Sequence, residues 1–480
     1  MTVQQDLPYQ RRMLILAICC LSMFMVGMDT TIVNIALPTI QQDLHAGISG
    51  LQWTIDAYAL VLGSLLMLSG SMADRLGRRR VFLAGLTLFG IASVLCAFAP
   101  DINWLIAFRA TQGIGGSMLN PVALSIVSNV FTDDRERARA VGIWAGVFGL
   151  SIALGPLIGG LLLGASLGWR SLFWIKLPIT LVALALTARF IPESRAPHPR
   201  RVDPVGQVLI IGMLTALTYA VIQGQDDGWT SPTILACFAI AALALIGLLA
   251  YEPRLREPLL ELRFFASVPF SGASAIALLA FAGMGGFALM TTLYLQEVRG
   301  YSALQAGLIF VPVAVAAMVS GPLAGRLVAS RGPRIPLIAA GAALTLCALM
   351  LTGLSATTSE AWLVASYVVF GLGFGMVSAP VNNTALSGMP RTQSGVAAAI
   401  VSTGRQVGQT LGVAVAGTII AANLHESFQT GLSAASQPAW WVMAGSGVVV
   451  VVLGIVTTSS WARRTAISVG REATGSAALT

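Results

Sequence analysis

Apolar residues gather in long, nearly uncharged runs separated by short connectors that carry arginine, proline and glycine. Fourteen such runs can be traced, at 13–37, 51–72, 81–99, 102–123, 138–162, 172–190, 206–222, 234–250, 270–293, 306–328, 335–354, 361–381, 396–421 and 439–458. Each is roughly 17 to 25 residues long, enough at about 1.5 Å per residue to cross a hydrocarbon core of about 30 Å. None of the connectors is long enough to fold as a soluble domain. The pattern therefore predicts an all-α polytopic membrane protein with 14 transmembrane helices. A Pro- and Arg-rich connector at 192–204 sets two runs apart from the first six, and a further six follow. This gives three units: 13–190, 204–251 and 268–459.

Composition agrees with this reading: 56% of the 480 residues are apolar and only 10% are charged, where a soluble domain carries about a quarter. The net charge of +8 raises the question of nucleic acid, but the basic residues recur in short loops instead of forming one patch. No nucleic-acid partner is expected. If the N-terminus is cytoplasmic, 23 arginines fall in inner loops and tails, and only Arg170 and Arg299 fall outside. Such an asymmetry predicts both termini inside and an even number of spans. Trp53, Trp104, Trp169, Trp174, Trp362, Trp440 and Trp441 sit at the outer ends of their runs, as an interfacial belt would. Arg11 and Arg12 precede a first run too long for a signal-peptide core, so no cleavable leader is expected. The five cysteines all lie in apolar runs with no metal spacing, and no disulfide is predicted.

Four stretches carry the chemistry. The connector after the second run reads GSMADRLGRRR, in which Gly70 and Gly77 suit a close turn, Asp74 suits the positive end of a neighbouring helix, and Arg75 and Arg78 hold the loop in water. Arg109 lies inside the fourth run, with Gln112, Gly113 and Gly115 following it. A buried arginine costs about 2.5–3.5 kcal/mol on insertion scales, so it is expected to face a partner or a wet cavity, unless it snorkels to the outer surface. In the first run Asp29 lies at nearly the same depth as Arg109, roughly 10–12 Å below the outer face. The two could pair, structurally or as a working site. The fifth run reads SIALGPLIGG, with Gly155, Pro156, Gly159 and Gly160 offering close helix crossing and a bend. A partial repeat of the first connector recurs at 325–334, as two related halves would give.

These stretches resemble signatures of the major facilitator superfamily, and within it the fourteen-span drug:proton antiporters of the EmrB/QacA type. The first run matches D-x-T-x-x-N-x-A-L-P through Asp29, Thr31, Asn34, Ala36, Leu37 and Pro38. The fifth matches the antiporter motif G-x-x-x-G-P-x-x-G-G with Ser151 in place of its first glycine. The resemblance implies two six-helix bundles with two inserted linker helices, in a bacterial cytoplasmic membrane. It implies proton coupling at Asp29 and Arg109, and gating by the 70–80 loop, with Asp74, Arg75 and Arg78 tied to the start of the thirteenth run. It also implies a cavity lined by Gln112 and, from the C-terminal half, Arg405 and Gln409.

Other candidates are less sharply defined. Asp56, near the outer end of the second run, is either a second protonatable group or an interfacial one. Lys176, the only lysine in the chain, is either a substrate determinant or a snorkelling cation. Asn34 joins the cavity set, and Phe287, Met290 and Tyr294 form an adaptable apolar wall if they face it. No Walker loop, zinc pattern or nucleophile elbow is found, so neither an enzyme nor an ATP-driven pump is expected, and protons replace any cofactor. The expected function is proton-coupled efflux of amphipathic or cationic small molecules, or else export of one endogenous metabolite, antibiotic or lipid precursor. An adaptor protein as a partner is left open.

Overall fold

The computed structural model describes residues 8–165, 167–195, 203–255, 261–387, 394–425 and 427–477, and among them there are helices and no strands. The first half runs α1 (Tyr9–Ile32), a 3-10 turn (Asn34–Ala36), α2 (Leu37–Leu44), α3 (Ile48–Leu76), α4 (Arg78–Ala97), α5 (Ile102–Val130), α6 (Asp134–Gly164), α7 (Ser171–Trp174) and α8 (Lys176–Phe190). The inserted pair is α9 (Pro204–Asp227) and α10 (Pro232–Tyr251). The second half runs α11 (Val268–Leu293), α12 (Ala303–Arg331), α13 (Arg334–Leu351), α14 (Glu360–Gly375), α15 (Ser378–Ala385), α16 (Ser394–Asn423) and α17 (Phe428–Thr457), and α18 (Ser460–Ala477) follows.

Among the described residues, 11 helical stretches are long and apolar enough to cross a membrane. The runs at 102–123, 138–162 and 396–421 lie on α5, α6 and α16, which are long helices but fall outside that set. Several spans are interrupted. The first breaks at Asn34–Ala36, just before Pro38, whose ring cannot continue the α1 ladder. The sixth run breaks at Ile175 between α7 and α8, and the twelfth divides into α14 and α15 around Met376 and Val377.

The loop at residues 75–80 marks one end of the molecule, called here the loop end. The two halves touch at the opposite, far end. There the Gln296 side-chain amide donates to the Ile35 carbonyl at 2.8 Å, and Gln52 donates to the Ala414 carbonyl at 2.7 Å. A Cβ added to Gly160 would stand 2.6 Å from the Ala303 carbonyl oxygen, so α6 and α12 are in backbone contact. Toward the loop end the same helices separate, and a Cβ added at Gly142, Gly146 or Gly325 would meet nothing within 4 Å.

All five cysteines are free, four of them buried. The tryptophan belt needs correcting. Trp104, Trp174, Trp362 and Trp441 are exposed as expected, but Trp169 and Trp440 are core residues. Trp169 donates to Asp43 at 2.8 Å, and Trp440 packs edge-on against Phe287. α18 was not anticipated, because its many small, polar and basic residues keep it from registering as a span; Thr465 on it accepts from the Val268 amide at 3.0 Å.

Candidate functional site

The N-terminal half holds a sealed polar cluster. Asp29 on α1, Arg109 on α5 and Lys176 at the start of α8 are each buried to 1% exposure or less. Arg109 Nη1 lies 2.5 Å from Asp29 Oδ2, and Lys176 Nζ bonds the other carboxylate oxygen. The guanidinium also donates to the Thr54 carbonyl at 3.0 Å and to Gln112 Oε1 at 2.7 Å, and it lies over the Tyr58 ring at 4.4 Å. Gln112 in turn donates to Ser93 at 2.8 Å. The Lys176 ammonium sits 4.5 Å above the Phe173 ring. Two cations share one carboxylate, so the cluster is net positive when all three are ionised.

Two expectations change here. Lys176 neither snorkels nor lines a cavity. The break at Ile175 turns its side chain inward to Asp29, where the carboxylate compensates a charge that would otherwise be costly in the apolar interior. Gln112 likewise belongs to this cluster and not to a cavity wall, because its amide is used at both ends. Thr54, Tyr58 and Ser93 complete the cluster and were not anticipated. Ser93 left only a weak signal, as a small polar residue in an apolar run.

Asp56 is not interfacial. It is fully buried on α3, and neither carboxylate oxygen has a hydrogen-bond partner among the described residues. Helical spacing places it on the face of Gln52 and Gly63, which pack on α16. It is remote in sequence from every residue of the Asp29 cluster except Thr54 and Tyr58.

Between the halves lies an apolar cavity of about 80 Å³. Thr31, Asn34 and Pro156 line it from one side, and Met284, Ala288 and Phe374 from the other. Asn34 donates to the Thr30 carbonyl at 3.2 Å, while its Oδ1 is left without a partner. The predicted wall on α11 is on the wrong face. Phe287, Met290 and Tyr294 point into the C-terminal core: Phe287 stacks on Phe370 at 3.9 Å, and the Tyr294 hydroxyl donates to the Ser355 carbonyl at 2.7 Å. Met284, Ala288 and Thr292, about 100° around the helix, face the cavity instead.

Arg405 on α16 is half-buried. It donates to Asn382 Oδ1 at 2.7 Å and lies 5.7 Å from the Phe281 ring centre. Gln409 is half-buried one turn further on, with its backbone carbonyl packed against Gly285. A second, more polar cleft at the far end, about 510 Å³, includes Gln42, Glu297 and Tyr301. The α6–α12 seal separates it from the central cavity.

The gating stretches are well ordered. Gly77 has φ 114°, a backbone conformation that strongly favours glycine, and the Glu193 carboxylate fills the space where a Cβ would go. Glu193 accepts the Arg79 amide at 3.1 Å, and the Arg78 amide donates to the Ser194 carbonyl at 2.9 Å. Asp74 pairs with Arg78 at 3.0 Å, one turn along, and Arg75 is exposed. Gly70 does not turn the chain; it sits inside α3, where an added Cβ would meet only Pro121 at 3.9 Å. The expected tie from Asp74 toward the start of the thirteenth run involves side chains that lie outside the described residues. On α6, Gly155 and Gly159 pack on α1, Gly160 meets α12, and the Pro156 carbonyl lies against Gly307.

Two helical halves meet around a central cavity, with a buried charge cluster inside the first half, and residues 19–413 match the profile of the Major Facilitator Superfamily. The chain belongs to the Major Facilitator Superfamily. It is a membrane transporter and not an enzyme. Among its relatives is the multidrug resistance protein Stp of Mycobacterium tuberculosis, 36% identical over 86% of this chain and 77% of that protein. The tetracenomycin C resistance and export protein of Streptomyces glaucescens is 34% identical over 86% and 77% of the two chains. The puromycin resistance protein pur8 of Streptomyces alboniger is 35% identical over 86% and 82%. The fold is that of the crystal structure of a bacterial homologue of the human lysosomal transporter Spinster, with TM-score 0.67, 18% identity, and coverage of 96% and 98% of the two chains.

Proposed function

We propose that this major facilitator protein is a drug exporter of the fourteen-span antiporter type, driven by protons entering as substrate leaves. The observation that carries the reading is the Asp29–Arg109–Lys176 cluster, a carboxylate buried on α1 and bound by two cations, with Thr31 of the same helix lining the cavity between the two halves. Buried charge of this kind is costly, and in a membrane transporter it marks a coupling site by default. Protonating Asp29 would release both cations together, which gives proton uptake a lever on the packing of α1, α5 and α8. Asp56, a second buried acid on the α3 face toward α16, is placed to sense the relation between the halves.

In this reading α5, α6 and α16 also cross the membrane, giving fourteen spans with both termini in the cytoplasm, as the arginine asymmetry requires. The loop end is then cytoplasmic, and the protein faces inward, closed at its outer end. The names of its relatives divide between multidrug pumps and proteins tied to single antibiotics. A narrow exporter of one compound is therefore the second reading, with the same coupling residues.

The test is substrate-induced proton release from proteoliposomes across a panel of amphipathic compounds. Wild type should release protons on addition of a substrate, while Asp29→Asn and Arg109→Ala should bind substrate but release none. Undiminished coupling in both variants would remove the mechanism.

A further inference from the structure

The residue that faces incoming substrate with a spare charge is Arg405, and its charge is positive. Among the described residues no carboxylate lies within ion-pair distance of it. Asp29 is taken up by Arg109 and Lys176, and neither Asp56 oxygen has a hydrogen-bond partner among the described residues. The guanidinium has a neutral amide partner in Asn382, and its Nε has none. Two rings connect it to the cavity lining. Phe374 lines the central cavity and contacts Phe281 edge-on at 5.1 Å, and Phe281 carries the guanidinium at 5.7 Å. On α11, Phe281 precedes the cavity residue Met284 by three positions, which puts Arg405 on the loop-end side, where the halves separate. A half-buried cation without a counter-charge is costly in this setting unless a ligand supplies one.

Among the described residues, those that line the central cavity from the N-terminal half, Thr31, Asn34, Ile35 and Pro156, include no acid. The Asp29 carboxylate is sealed, has both oxygens engaged, and belongs to a net-positive group. A cationic compound that reached the central cavity would find no acid among the residues lining it, whereas an acid would find a planar donor backed by the Phe281 ring. We propose that Arg405, held by Asn382 and backed by Phe281, which in turn packs on Phe374, is the anchor for an anionic oxygen group, a carboxylate or sulfonate, on an aromatic substrate. The aromatic body then fills the apolar cavity between Met284, Ala288 and Pro156. Guanidinium suits this task because it presents paired donors to a carboxylate and keeps its charge when partly buried. The inference rests on the export reading and specifies the charge class of what is exported.

Three probes sharing one fluorophore separate the two: dansylglycine, its neutral amide dansylglycinamide, and the cationic N-(2-aminoethyl)dansylamide. Binding to the full-length protein in liposomes is read by fluorescence against protein-free liposomes, and export by quenching in inverted vesicles. Wild type should bind the anion about tenfold or more tighter than the amide, with the cation weakest. Arg405→Gln should bring the anion to the level of the amide while leaving the amide unchanged. Arg405→Lys should keep part of the preference. Asn382→Asp keeps the guanidinium but hands it a fixed carboxylate, and it should also erase the preference, which guards against a misfolded arginine variant. Equal binding of anion and amide by wild type, or an equal loss of all three probes in Arg405→Gln, overturns the assignment. If the neutral and cationic probes are bound and exported with no preference for the anion, the anchor fails and export stands. If none is bound or exported, both fail.

Discussion

Asp29 faces two cations and neutralises only one of their charges, and this decides what its removal does. Asp29→Asn leaves Arg109 and Lys176 facing one another in a sealed interior with no counter-charge, a change that costs about 3–5 kcal/mol by analogy with broken buried pairs. Lys176→Met removes the excess cation and leaves the Arg109–Asp29 pair intact, so it should cost much less. The double variant Asp29→Asn with Lys176→Met should recover part of the lost stability and none of the proton coupling. Thermal unfolding in detergent checks the order. If Asp29→Asn is as stable as the parent, the cluster is not the charged unit described here. The pairing of Asp29 with Arg109 was legible in the sequence, because depth along a straight helix follows from counting residues at a fixed rise. The place of Lys176 was not, since it depends on the helix break one residue before it. The α11 wall failed for another reason. A helix apolar on every side carries no polar stripe to show which face is core, so Phe287 and Ala288 look equivalent until packing is seen.

At the scale of elements, the glycines sort by what they touch. Gly77 joins α3 to α4 at positive φ with the Glu193 carboxylate packed into the missing side chain, so the 75–80 loop is docked on the segment after α8. Gly77→Ala should lower stability by about 1–3 kcal/mol from backbone strain and displace Glu193 as well. Gly70→Ala, inside α3 with ordinary room for a methyl, should be neutral or slightly stabilising. Thermal shift and chymotrypsin sensitivity of the 188–195 segment read both, and a Gly77→Ala protein indistinguishable from Gly70→Ala would deny the loop its docking role. The motif text announced a tight turn but could not say which of its glycines made it. The signature on α6 was more informative, because glycines four residues apart share a face, and here they meet α1 at Gly155 and Gly159. That Gly160 reaches across to α12 is a contact between halves, which no local pattern encodes.

At the scale of the molecule, the inserted pair lies across the seam. α9 packs on α3 and on α16, with Gln207 donating to the Ser64 carbonyl at 2.7 Å and Thr418 to the Val221 carbonyl at 2.7 Å. It holds the first half nearer the loop end and the second nearer the far end, leaving the opposite seam, where α6 meets α12, as the side that must part. If export proceeds by the proposed alternation of the two halves, the far ends of α6 and α12 must separate once per cycle, and the geometry supplies a lock for them. A Cβ at Gly164 stands 3.4 Å from the Leu304 Cβ, close to the roughly 3.5–4.5 Å of a disulfide. In a background with Cys237→Ala, the double variant Gly164→Cys with Leu304→Cys should export normally when reduced. Oxidation should stop export, and a reductant should restore it, while neither single variant responds. The four buried native cysteines are shielded from the oxidant by packing. Full export by the cross-linked protein would mean that substrate leaves without parting this seam, and the rocking of one half against the other would have to give way to a path through the bundle itself.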